Sequence, residues 1–263
     1  MVVKLNNGFS GQGNAILELD GLCDPLPASK TTFCAGEESW PSFAGKIEDE
    51  GAIVEELLRA EGLRSPSVQL RIGGDRQVEV LSTHDQILGG PEGQVYLGCR
   101  FPASAAYRAA ITEEARRVGA VMAGEGVVGS FGIDFIVVPG SDVYLSEINL
   151  RMGGTTHPYW MARLATGATY DVDAGELVTP AGRPARYHAT DNLKSPRLAE
   201  LTPADVVARV DRAGLAFDPS TGTGATLHLL GAVPGYGKMG ATCVAETPEA
   251  ADDLYDELAA LLT

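Results

Sequence analysis

Residues 132–151 read GIDFIVVPGSDVYLSEINLR, and this stretch decides how the chain is understood. Two apolar runs flank Pro139-Gly140-Ser141-Asp142, a block that fits a two-residue turn with glycine at its first central position, Gly140 followed by Ser141. Counting outward from that turn pairs Pro139 with Asp142 and Val138 with Val143. The same count sets Asp134 opposite Glu147, with side chains about 5 Å apart on one face, and Asn149 shares that face. Facing carboxylates repel, so a sequence that keeps both predicts a cation between them. Mg2+ suits such an all-oxygen set, because it takes few protein carboxylates and leaves its other positions to water and phosphate. The bland alternative is a surface hairpin whose acids face water.

The continuation favours the first reading. Asn149-Leu150-Arg151-Met152-Gly153-Gly154-Thr155-Thr156-His157-Pro158 sets an arginine and a polar glycine-rich loop just beyond the acids, as an anionic phosphoryl group would need. Near the start of the chain, Lys4 ends a short strand ahead of Asn6-Asn7-Gly8-Phe9-Ser10-Gly11-Gln12-Gly13-Asn14. Glycines at 8, 11 and 13 let backbone N–H groups converge on an anion, and the lysine adds a point charge. No Gly-Lys-Ser/Thr follows, so this is not a Walker A loop; taken alone, it reads equally well as a glycine-rich β-turn.

The chain has 263 residues, 44% apolar and 21% charged, enough for one large or two smaller globular domains. Its 32 glycines imply many special turns or close backbone approaches. A formal net charge of −15 argues against nucleic-acid and acidic-membrane partners. A small polyanion responds to its local site and is still admitted. Cys23, Cys34, Cys99 and Cys243 form no C-x-x-C pair or zinc-ligand spacing, which points to reduced thiols in a cytoplasmic protein. No secretion signal and no run of eighteen apolar residues is present, so no membrane partner is expected.

Hydrophobic patterning predicts strand, turn and strand over residues 1–20, and loop or irregular structure from Cys23 to Gly45. It leaves Ile53-Val54-Glu55-Glu56-Leu57-Leu58 open between a strand running into a hinge and a short helix. A hairpin is predicted around Gly73-Gly74-Asp75 and a helix over 103–124. Residues 158–168 resume a helical pattern, and a loop-rich run extends from 171 to about 200. A helix near 203–213 follows, capped by Thr202, then a hairpin around Pro234–Lys238 and a last helix capped by Thr247 with Pro248 at its first position.

Taken together, these residues resemble the ATP-grasp carboxylate-amine ligases. Lys4 with Gly8 to Gly13, the 53–58 segment and Asp134…Glu147-Ile148-Asn149 match that family's loop, hinge and metal hairpin in order. EINLRMGGTTHP, STHDQILGG, YLGCRFPA, TDNL and HLLGAVPGYGK resemble the pheganomycin-type peptide ligases within it. The resemblance implies an α+β ATP-grasp fold of two α/β subdomains gripping ATP. It lacks the usual N-terminal substrate domain and has a C-terminal α/β extension. The implied parts are 1–57, a partial glycine-rich-loop lobe; 58–170, a metal-binding lobe; and 171–263, the extension. The resemblance also implies ATP with Mg2+, or Mn2+ in its place. Lys4, Gly8, Ser10, Gly11 and Gly13 would receive the triphosphate, and Glu55, Glu56, Leu57 and Leu58 the adenine. Asp134, Glu147 and Asn149 would hold the metal, with Glu147 bridging two ions to the nucleotide. Arg151, with Lys4, would act on the transferred phosphate.

The implied reaction joins a carboxylate, of an amino acid or peptide, to an amine through an acyl phosphate, giving an amide, ADP and phosphate. The implied partners are small-molecule carboxylate and amine or peptide substrates, with a homo-oligomer left open. In this family a segment precedes the lysine strand, whereas here only three residues do. The expectation is therefore a truncated piece, one part of a split enzyme with a partner chain, or a chain of reduced function. The competing reading is a non-catalytic nucleotide-binding module. A metal-dependent hydrolase is disfavoured because no general base stands beside Asp134 in the sequence. His157 is read as either functional or packed; His84, His188 and His228 are read as structural. Arg71, Arg100 and Arg108 could serve a carboxylate, but surface pairing is the commoner role.

Overall fold

The computed structural model describes residues 1–8, 13–18, 31–90, 93–140 and 143–263. Ser10 and Gly11 of the glycine-rich loop, Cys23, and the turn residues Ser141 and Asp142 lie outside the described residues. The chain divides into two compact units, Met1–Glu61 with Ile87–Leu97, and Gly62–Gln86 with Gly98–Thr263.

In the first unit, β1 (Val2–Leu5), β2 (Asn14–Leu17), β3 (Thr31–Phe33) and β4 (Ala52–Glu55) form an antiparallel sheet in the order β3-β2-β1-β4. Between β3 and β4 runs helix α1 (Trp40–Glu50). Val3, Leu5, Ala15 and Leu17 meet Phe43 of α1 in a small core, with Phe33, Trp40 and Ile47 against it. The two opening strands are as predicted, while residues 9–12 of the turn between them lie outside the described residues. The expected loop over 23–45 is corrected: it contains β3 and the first half of α1. Pro41 sits in the first helical turn, where its missing N–H costs nothing. Phe43 and Ile47, one turn apart, supply the apolar stripe. The ambiguous 53–58 segment resolves as edge strand β4, followed by Glu56, Leu57 and Leu58 without regular structure.

The second unit begins with β5 (Pro66–Ile72), most of β6 (Val78–Gly89), the latter part of β7 (Val95–Phe101), α2 (Arg108–Gly124), β8 (Gly129–Val137) and β9 (Val143–Asn149). There follow α3 (Thr156–Thr166), β10 (Thr169–Asp171), β11 (Glu176–Val178), β12 (Pro184–Lys194), α4 (Pro196–Ala199) and α5 (Pro203–Arg212). The chain finishes with β13 (Gly224–His228), α6 (Val233–Tyr236), β14 (Lys238–Ala245) and α7 (Pro248–Leu262). The sheet order is β10-β11-β12-β7-β6-β5-β8-β9, and β14 pairs with both β12 and β13.

Alternation along two neighbouring strands creates one apolar and one polar face. Val68, Leu70 and Ile72 of β5 and Phe131, Ile133 and Phe135 of β8 pack against Ile111 and Ala115 of α2. Ser67, Gln69, Gly132 and Asp134 therefore take the opposite face, with Ser67 beside Asp134 and Gln69 beside Gly132. The helix expected over 103–124 starts at Arg108 instead. The Ser104 amide donates to Asp85 Oδ2 at 2.9 Å, which holds residues 104–107 in a turn ahead of the helix.

Both predicted capped helices are present. Thr202 and Asp205 form a reciprocal capping box on α5, and Thr247 accepts from the Ala250 amide at the start of α7. Val206, Val210, Leu258 and Leu262 from these helices close over Leu193, Met239, Ala241 and Cys243. The expected loop-rich run from 171 to 200 is corrected by β12, an eleven-residue strand paired with β11, β7 and β14. Its sequence PARYHATDNLK lacks apolar alternation because its polar residues have partners; His188 Nδ1, for example, lies 2.8 Å from Asp252 Oδ1 of α7. Cys34, Cys99 and Cys243 are buried. No helix among the described residues is long and apolar enough to cross a membrane.

Candidate functional site

The β8–β9 hairpin reaches the predicted carboxylate pairing by an unexpected route. Near the turn, Val137 pairs with Val143, Ile136 with Tyr144 and Phe135 with Leu145, one residue off the count from a two-residue turn. The register then shifts, and Asp134 stands opposite Glu147, Ile133 opposite Ile148 and Gly132 opposite Asn149. Ser146, inserted in β9 as a β-bulge, shifts the register by the one residue that brings the acids together. The predicted Val138–Val143 pair is thus absent, while the two acids do face each other.

Asp134 is partly buried and tightly held. Gln86 Nε2 donates to its Oδ1 at 2.9 Å and Asn149 Nδ2 to its Oδ2 at 3.0 Å. Burial, and then the Glu147 carboxylate across the ladder, push the Asp134 carboxyl up to about 7, although Arg151 and the two amide donors pull the other way. Such a carboxyl is poised for a cation, which would relieve both the desolvation and the repulsion. Among the described residues no three His, Cys, Asp or Glu side chains gather as a metal cluster. The set on offer is two carboxylates and the Asn149 amide, whose oxygens fit a hard ion that keeps much of its water.

Beyond Asn149 the backbone turns sharply, with the Arg151 amide donating to the Asn149 carbonyl at 2.7 Å. Arg151 is exposed, and its Nη1 lies 3.4 Å from where a Cβ on Gly153 would stand. The Gly153 amide donates to Thr156 Oγ1 at 3.0 Å, and that hydroxyl donates to Gln69 Oε1 at 3.4 Å. The start of α3 is in this way tied to the face that carries Asp134.

In the first unit, Lys4 and Glu55 form an ion pair, Nζ to Oε2. Lys4 lies opposite Ile53, and Val2 opposite Glu55, so the two charged residues are diagonal neighbours on one face. Gly8 and Gly13 touch at the neck of the glycine-rich loop, where a Cβ on Gly13 would stand 2.6 Å from the Gly8 Cα. Glu56 is exposed, and Leu57 and Leu58 are half-buried.

Several residues of the site went unnoticed in the sequence. Gln86 and Gln69 support the acids and the α3 start, and the period-2 pattern of STHDQILGG was the signal that could have placed Gln86. His228, read as structural, has its Nε2 2.8 Å from that of His157, a pairing across 71 residues that no local pattern reveals. His84 and His188 are structural as expected: His84 Nε2 lies 2.7 Å from the Tyr187 hydroxyl, and His188 from Asp252 as above. Arg100 binds both Asp252 oxygens, and Arg108 donates to the Gly175 carbonyl.

Residues 29–155 match the ATP-grasp domain family, and residues 205–258 match the PGM1 C-terminal domain. The chain is 38% identical over 254 residues to an L-propargylglycine--L-glutamate ligase of Streptantibioticus cattleyicolor, covering 95% of this chain and 51% of that protein. It spans about half the length of the curated relative it matches. In fold it is similar to carboxyaminoimidazole ribonucleotide synthase of Aspergillus clavatus, solved with ATP, at 16% identity and a TM-score of 0.59 over 99% of this chain and 62% of that one. It is also similar to the N5-carboxyaminoimidazole synthetase of Staphylococcus aureus, solved with ADP, at 14% identity and a TM-score of 0.57 over 98% of this chain and 60% of that one.

Proposed function

The chain is an ATP-grasp protein, and from that premise we propose that it is an ATP-dependent ligase joining the carboxylate of one amino acid or peptide to the amine of another. The observation that carries this reading is the facing of Asp134 and Glu147 beside Asn149, with Arg151 and a glycine loop immediately after. A relative named for joining L-propargylglycine to L-glutamate supports amino acids as both substrates.

The proposed roles follow from charge. Phosphoryl transfer to a carboxylate drives two anions together, and fixed cations must offset that repulsion. Asp134, Glu147 and Asn149 would hold Mg2+, which, when bound, neutralises phosphate charge. Arg151 steadies the transferred phosphoryl group and then the acyl phosphate. Lys4, with the backbone around Gly8 and Gly13, takes the triphosphate; to do so it must exchange Glu55 for phosphate. Glu55, Glu56, Leu57 and Leu58 take the adenine. Residues 1–57, 58–170 and 171–263 are assigned as the loop-bearing lobe, the metal lobe and a C-terminal extension. Amine attack on the acyl carbon then gives the amide, ADP and phosphate.

The test is ADP release from Mg2+-ATP with each of the twenty common amino acids, alone and in pairs, with product mass measured in parallel. ADP and a dipeptide mass that both require a specific pair support the ligase. Nucleotide binding with no ADP and no coupled product would return the chain to a non-catalytic nucleotide-binding module.

A further inference from the structure

Resting on the ligase reading, we propose that His157 and His228 together form the base that accepts a proton from the amine substrate. Their Nε2 atoms are 2.8 Å apart, and the rings meet edge-on with centroids 4.3 Å apart. At that distance one ring must donate and the other accept, so the pair shares one proton and has room for one more.

Four features hold these rings in place. His157 is the second residue of α3, whose start is bound to Gly153 of the Arg151 loop and to Gln69. His228 ends β13 opposite Gly240 of β14, where a Cβ would stand 2.1 Å from His228 Nε2; only glycine leaves space for the ring. The next residue, Leu229, has φ +55°, a left-handed backbone that strains a bulky residue and that concentrates at functional sites. Asp191 lies in the register break of β12 between Thr190 and Leu193. Its carboxylate favours the protonated form of His157, and a hydrogen bond with the Thr190 backbone does the same for His228.

Chemistry agrees with placement. Burial holds His157 below the usual imidazole range, and burial with the neighbouring His157 brings His228 down to about 4. Both rings are therefore neutral near pH 7 and open to a proton, and the Asp191 carboxylate favours the charged form of His157 against that burial. The incoming ammonium gives one proton to the pair and becomes an amine. Its nitrogen lone pair forms the C–N bond, and the C–O bond to the phosphoryl group breaks with its electrons on phosphate. Phosphate takes the second nitrogen proton and leaves as hydrogen phosphate. Asp191 steadies the imidazolium until its proton returns to solvent.

Hydroxylamine separates this step from acyl-phosphate formation, because it is already unprotonated near neutrality while an amino acid is an ammonium. The full chain is given Mg2+-ATP, its accepted amino-acid carboxylate, and either hydroxylamine or its accepted amino-acid amine. For His157→Gln and His228→Gln, hydroxamate formation is expected within about twofold of wild type, which also reports an intact fold. Amide formation is expected to fall about 100-fold in kcat. The acidic limb of the wild-type pH profile is expected to disappear, with partial recovery at high pH. Equal loss with both acceptors, or wild-type amide turnover, would overturn the inference. Absence of hydroxamate from the wild type would instead overturn the ligase reading, and this inference with it.

Discussion

Gly132 of β8 leaves open the space that the Gln69 side chain of β5 fills: a Cβ on Gly132 would stand 2.7 Å from Gln69 Nε2. Gln69 is 6% exposed and receives the Thr156 hydroxyl. Displacing it loosens the link from the acid-bearing face to α3. Gly132→Ala is expected to lower stability by about 1 kcal/mol and to weaken nucleotide binding, measured by urea unfolding and calorimetry on the same sample. Unchanged values in both would show that the amide shifts without consequence.

Gln86 does not belong to the proposed metal set, yet it orients Asp134 through a 2.9 Å hydrogen bond. Partners of ligands commonly matter by 10- to 100-fold in affinity. Gln86→Ala is expected to weaken Mg2+-nucleotide binding by about tenfold, and Glu147→Gln by at least as much. Calorimetry with and without Mg2+ reads both, and an effect that persists without the metal would remove Gln86 from this role.

Arg151 is exposed, and its proposed role is at the phosphoryl group, where charge is greatest during transfer. Arg151→Ala is expected to reduce kcat by about 100-fold with a much smaller change in nucleotide affinity. Steady-state rates and binding measured side by side test the split; a parallel loss of both would assign Arg151 to nucleotide binding.

His84 is wholly buried and its pKa is pushed down to about 3 by desolvation. An imidazole depressed in the folded state binds fewer protons than in the unfolded chain, so stability rises with pH over that interval. Stability is expected to be fully present above about 6.5, the unfolded value, and to be lost progressively as pH falls toward 3. His84→Asn should flatten this dependence relative to wild type in urea unfolding at pH 4 to 7. An unchanged slope would assign it to other groups, such as His157 and His228.

Local physics made part of this molecule legible. Thr202 with Pro203, and Thr247 with Pro248, announce helices through caps that need only neighbouring residues. The facing of Asp134 and Glu147 was also readable, though the register that delivers it shifts by one residue at Ser146. Helix α1 was missed because only Trp40, Phe43 and Ile47 carry its periodicity, amid Pro, Ser and Gly. Strand β12 was missed because Tyr187, His188 and Thr190 are buried polar residues, stabilised by contacts distant in sequence. The Gln86–Asp134 and His157–His228 contacts belong to the same class: each arises when elements distant in sequence meet, and neither leaves a local pattern.

The bulge at Ser146 has a mechanical meaning. Because β8 is aligned by its other neighbour, β5, the position of Asp134 is anchored from the sheet's interior, and the inserted residue absorbs whatever mismatch the hairpin tip brings. Tip length and carboxylate alignment are thereby uncoupled, so that insertions or deletions at residues 138–142 can be accommodated by remaking the bulge while Asp134 and Glu147 stay in step.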